Sequence, residues 1–240
     1  MNNRVPEPVP LPPVVAPRTS FWSAHRRRPA FLLLLVTGLF FFLILLPLFS
    51  GHPASQYLVY VLIILVLMSA IVTISGNRLY LIIGSFLAAL SIVLNALFFL
   101  TGEPPYYQAS VIIPFLFFGF VTIIIFSSII RERKANFDTV AGAISVYFLI
   151  GIFWAYGIMV IDLLIPESFT LAGVEANQLR YLPDFISYSF SFLTTTGNYD
   201  VAAATPFARM IMMFEMITGT LYIAILISWL VGKLVVRQQP

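Results

Sequence analysis

The chain has no cysteine, two histidines and little charge of either sign: 13 Lys and Arg and 10 Asp and Glu make up 10% of its 240 residues. Without cysteine there is no disulfide scaffold and no thiol nucleophile. The histidines, His25 and His52, lie in separate segments with no metal-binding constellation around them. A soluble globular chain carries about 25% charged residues, and a disordered one carries more charge and less apolar sequence. What is abundant here is apolar: hydrophobic residues make up 60% of the sequence and the mean hydropathy is +0.97. These proportions belong to an integral membrane protein.

Crossing a hydrocarbon core takes about 20 apolar residues at 1.5 Å per residue. Six runs qualify: Ala30 to Phe49, Tyr57 to Ser75, Leu79 to Leu100, Ala109 to Ile130, Ala143 to Ile165 and Phe207 to Val231. The first four are free of charge, whereas the last two hold one acid each, Asp162 and Glu215. Residues 1–29 are a Pro-rich arm closed by His25-Arg26-Arg27-Arg28, expected to be extended and disordered, with the first run retained as a helix. Residues 30–134 then form a four-helix module and 143–236 a second unit.

Basic residues set orientation. Arg4, Arg18, Arg26, Arg27, Arg28, Arg78, Arg131, Arg133, Lys134, Lys233 and Arg237 fall on one side of the resulting topology, and only Arg180 and Arg209 on the other. Both termini are therefore expected in the cytoplasm. The pI near 9.3 follows from this topology and from anionic lipid contact, with no need for nucleic acid. The run Ala109 to Ile130 contains no Lys or Arg, so an arginine-based voltage sensor is not expected.

Between the fifth and sixth runs, Asp184 to Thr196 is too short to span and reads as a re-entrant segment. Pro183 at a first helical position with Asp184 in the first turn starts a helix, expected to end near Thr195. Irregular backbone at membrane depth is tolerated where it lines a water-filled path, so Thr195 to Tyr199 implies an aqueous pathway. The inward-aimed C-terminal end of the helix favours a cation there.

These residues resemble the pore-loop potassium channels, whose signature is a hydroxyl-rich pore helix, then Thr-Thr-x-Gly-Tyr-Gly-Asp, then a lining helix. The corresponding stretch is Thr194-Thr195-Thr196-Gly197-Asn198-Tyr199-Asp200, and the likeness continues through Thr205-Pro206-Phe207-Ala208-Arg209 and Met213 to Ile227. It covers roughly Ala143 to Gln238. The resemblance implies an all-α membrane protein with six transmembrane helices plus a re-entrant pore helix and filter loop, assembled as a homotetramer in a bacterial inner membrane. It also implies potassium sites built from the carbonyls of Thr195, Thr196, Gly197 and Asn198 with the Thr195 hydroxyl, the filter continuing to Tyr199. Thr194, Asp200 and Glu215 would support the filter. Permeant potassium is then the only bound species, with no cofactor.

The sequence departs from the signature at Asn198-Tyr199, which replace Tyr-Gly. Asparagine tolerates a left-handed backbone better than most residues, so Gly197-Asn198 are expected to supply the permissive positions while Tyr199 supplies aromatic packing. Potassium-over-sodium selectivity is the property this change puts at stake.

Gly219 admits two readings, a gating hinge or a site of close helix packing. Ile223, Ile227 and Val231 recur every four residues on one face and read as a pore lining with an apolar gate, or as ordinary packing. Glu215 is expected behind the filter, within reach of Ser189 or Ser191, and Asp162 at the outer interface. Of the rival functions, an enzyme lacks its constellation and a transporter lacks a second broken helix, which leaves a non-conducting or non-selective relative of the channels as the alternative.

Overall fold

The computed structural model describes residues 38–40, 64–71, 78–131, 137–171, 182–197 and 201–236. The expectations for the arm, for most of the first two apolar runs and for Asn198, Tyr199 and Asp200 lie outside the described residues. Within the first two runs the structure is helical at 38–40 and 64–71.

Five helices and two short strands follow in chain order. They are α1 (Arg78–Thr101), α2 (Pro104–Arg131), α3 (Phe137–Leu164), β1 (Phe169–Leu171), α4 (Leu182–Leu193), β2 (Val201–Ala203) and α5 (Pro206–Val236). Among the described residues, Arg78–Thr101, Pro104–Arg131, Thr139–Leu164 and Pro206–Trp229 are long and apolar enough to cross a membrane. The chain is by this measure a multi-pass membrane protein, and these helices correspond to the third through sixth apolar runs.

Local chemistry sets the boundaries. Gly102 ends α1 in a left-handed conformation (φ 68°), its N–H donating to the Phe98 carbonyl at 2.8 Å. Pro104 then opens α2 at a position where the missing N–H costs nothing. Thr205 caps α5, its hydroxyl accepting from the Ala208 N–H at 3.2 Å with Pro206 as first helical residue.

The long helices pack antiparallel to their neighbours. Phe98 of α1 meets Tyr107 of α2 across the turn, while Tyr80 meets Phe120 further along. Between α2 and α3, Phe115 stacks on Phe153 at 4.7 Å and Phe118 on Tyr156 at 5.6 Å. The core lies here and against α4, with Phe117, Phe118, Val121, Ile125, Leu149, Ile152, Ala155 and Ile158 buried. On α1 the residues Gly84, Ala88 and Ser91 are buried, while Ile82, Phe86 and Val93 are exposed, as on a helix whose outer face meets lipid.

At the opposite end of the core, Tyr222 of α5 donates to the Ala143 carbonyl of α3 at 2.6 Å, and its ring lies against Tyr147. A hydrogen bond between membrane helices contributes about 0.6–1 kcal/mol. Tyr222→Phe is accordingly expected to lower the thermal midpoint by about 1–4 °C in a chain of this size. An unchanged midpoint would show that the bond does not hold this pair.

Candidate functional site

Helix α4 has 12 residues, about 18 Å of helix, against 28 in α3 and 31 in α5. It packs between these two partners and ends part-way along both. Its Ser189 lies beside Gly151 of α3 and Glu215 of α5, and its last residue, Leu193, lies beside Tyr147 and Gly219. Pro183 and Asp184 occupy its first turn, as the sequence predicts.

Two glycines make this seat. A Cβ at Gly151 would run into the ring of Phe190, whose Cε2 atom would stand at 2.7 Å. A Cβ at Gly219 would fall on the Leu193 carbonyl oxygen and stand 3.0 Å from the Leu193 carbonyl carbon. Of the two readings of Gly219, close packing is therefore visible: α5 has no side chain at the point where the end of α4 rests on it. The Tyr147 hydroxyl donates to the same Leu193 carbonyl at 3.5 Å, a long bond.

The chain then turns back on the helix. Thr194 N–H donates to the Phe190 carbonyl at 3.0 Å and Thr195 N–H to Phe192 at 2.9 Å. The Ser191 carbonyl accepts from Gly197 N–H at 3.0 Å and from the Thr196 hydroxyl at 3.1 Å. Thr195 has φ 60° and Gly197 has φ 73°, with Thr196 between them outside the positive-φ set. Alternation of sign turns successive N–H groups to one side of the backbone, leaving the carbonyls to the other. A threonine at positive φ costs about 1–2 kcal/mol and is uncommon outside functional segments. Thr194, Thr195, Thr196 and Gly197 are all exposed on the single chain.

Outside this loop, the strands β1 and β2 pair antiparallel, with Phe169 opposite Ala203 and Leu171 opposite Val201. The Ala204 N–H donates to the Ser168 carbonyl at 2.9 Å and extends the pairing by one bond. Buried Phe169 meets Tyr188 of α4 edge-on, and Tyr188 meets Phe192 in the same manner. The strand pair thus joins the end of α3 to the start of α5 and meets α4 at Tyr188, near the middle of that helix.

Of the site residues expected from sequence, Glu215 is fully buried and in hydrogen-bonding contact with Ser189, one of the two partners expected for it; Ser191 instead donates to the Tyr188 carbonyl. Ile223 and Ile227 are exposed on α5. Val231 lies on α5, and its side chain is outside the described set. Asp162 lies half-buried near the end of α3. Sequence reading did not single out Gly151 or Tyr147, because glycine and tyrosine inside an apolar run are ordinary in membrane helices.

No protein-family model matches the chain, and no curated protein or solved structure matches it either.

Proposed function

We propose that the protein is a homotetrameric pore-loop cation channel, conducting potassium through a carbonyl-lined filter that begins at Thr195 and runs through Thr196, Gly197 and Asn198 to Tyr199. The observation that carries this reading is the end of α4. A helix about 18 Å long stops part-way along two membrane-length partners, and the loop that leaves it alternates in φ sign and is uncovered by its own chain. Backbone of this kind is tolerated at membrane depth only when protein covers it or it lines water. A ring of identical loops about an axis does both, and one loop per chain calls for a closed ring of copies.

Two further features support the reading. The C-terminal end of α4 carries the negative end of its dipole to the loop, which favours a cation there. The exposed apolar residues of α5, among them Met213, Ile217, Ile223 and Ile227, supply the surface that neighbouring copies and a pore would use. On this reading both termini are cytoplasmic, Glu215 braces the loop and the membrane is a bacterial inner membrane. The absence of cysteine makes the orientation straightforward to test, since a single introduced cysteine at either terminus is the only group a thiol reagent can label.

The deciding experiment is flux from liposomes holding the purified protein, driven in turn by outward potassium and sodium gradients, with Gly197→Asp as the dead control. Potassium flux alone is the expected result. Equal flux of both ions would make the pore non-selective, a consequence of Asn198-Tyr199 standing where Tyr-Gly would complete the filter. Flux of neither would favour a channel-like scaffold that does not conduct.

A further inference from the structure

The polar contacts of Glu215 are one hydrogen short if its side chain is a carboxylate. The Ser189 hydroxyl oxygen lies 2.7 Å from the Gly151 carbonyl oxygen and also within hydrogen-bonding distance of Glu215 Oε1. A hydroxyl carries one proton, and a backbone carbonyl can only accept. Ser189 must therefore donate to Gly151 for that approach to be attractive. The remaining contact then needs a donor, which a carboxylate lacks and a carboxylic acid has.

The surroundings agree. Glu215 is 0% exposed and its Oε2 has no hydrogen-bond partner. From α4 it is faced by the buried phenol of Tyr188, whose hydroxyl also has no partner, and by Ser189; at Ser189 α3 presents the Gly151 carbonyl. Among the described residues no cation pairs with Glu215. Burying an ionised carboxylate with a single hydrogen bond and no counter-charge is far costlier than burying a neutral acid with one unpaired oxygen.

We infer that Glu215 carries a bound proton and donates it to Ser189, which donates to the Gly151 carbonyl, so that two hydrogen bonds in series tie α5 through α4 to α3. Glu215 is then a positioning residue: it acts on the Thr194–Gly197 loop through the helix that carries it. This role in conduction rests on the channel reading, whereas the proton rests on hydrogen-bond geometry alone.

The test is infrared spectroscopy of the full-length protein in lipid nanodiscs, in H2O and in D2O. The wild-type minus Glu215→Gln difference is expected to contain the C=O stretch of a carboxylic acid, moved to lower frequency in D2O. In Ser189→Ala the band is expected to persist at higher frequency, because the acid has lost its acceptor. An absent band would overturn the proton. If Glu215→Gln fails to fold, the shift between wild type and Ser189→Ala decides the same point.

Function is read on the same preparations. Glutamine keeps a donor for Ser189, so Glu215→Gln is expected to conduct at the wild-type level, while Glu215→Leu, without a donor, loses most of its flux and several degrees of thermal midpoint. Equal losses in the two variants would overturn the positioning role. If wild type itself passes no ions, the channel reading fails, and the band still decides the proton.

Discussion

Gly219→Ala is expected to abolish ion flux and to lower the thermal midpoint by about 6–12 °C. Helix propensity alone predicts the opposite sign, since alanine stabilises a helix interior by about 1 kcal/mol relative to glycine. The added methyl, however, falls on the Leu193 carbonyl oxygen, a backbone atom at the end of α4 that cannot swing aside as a side chain would. Overpacking costs typically 1–3 kcal/mol, and a backbone obstacle puts this site near about 3. At about 2–4 °C per kcal/mol for a chain of this length, the shift is the one stated. Gly151→Ala gives the contrasting case. Its obstacle is the Phe190 ring, so Phe190→Leu should recover part of the loss at Gly151, while no side-chain change should rescue Gly219→Ala. Thermal unfolding of the two single variants and the Gly151→Ala/Phe190→Leu pair checks both statements. A raised midpoint in Gly219→Ala would mean that α4 and α5 are not in contact there.

Gly197→Val is expected to remove ion flux while leaving the thermal midpoint close to that of wild type. Here there is no steric obstacle, because nothing lies within 4 Å of a Cβ built at Gly197. The constraint is the backbone itself at φ 73°, where a β-branched residue is a genuine outlier. The strain of about 1–2 kcal/mol falls on an exposed loop, which can relieve it by changing shape without disturbing the core. On the proposed channel reading the change would be made four times around one axis, and each lost loop conformation would remove a share of the ion's coordination. Flux and thermal midpoint measured on one preparation separate this effect from that of Gly219→Ala, in which both quantities fall. Full flux in Gly197→Val would show that the positive φ at this position is not needed.

Much of this architecture is legible in the sequence because long apolar runs have few alternatives in a membrane. The runs Leu79 to Leu100 and Phe207 to Val231 differ from α1 and α5 by a few residues at their ends. The fifth run begins at Ala143, inside α3, which opens at Phe137 with Asp138 and Thr139, polar residues that an apolar run does not take in. Pro183 and Asp184 give the start of α4 correctly, and its end at Leu193 falls two residues short of Thr195, where backbone turns replace the helix. The contact of Glu215 with Ser189 was also within reach, since a buried acid in an apolar helix needs a polar partner. The strands were not. Phe169–Leu171 and Val201–Ala203 have three residues each, too few for any alternation to register, and only their pairing defines them. The positive φ of Thr195 is likewise invisible, because threonine gives no hint of a left-handed backbone.

The strand pair has a consequence for variation in this chain. Pairing of Leu171 with Val201 brings together the two ends of the sequence that carries α4, so a change of length ahead of that helix is made inside a closed connection. Doubling such a connection adds only about 0.6 kcal/mol of closure entropy. Insertions at residues 172–181 are therefore expected to be thermodynamically cheap. A connection whose length can change at so small a cost is a place where natural or engineered recognition elements could be grafted.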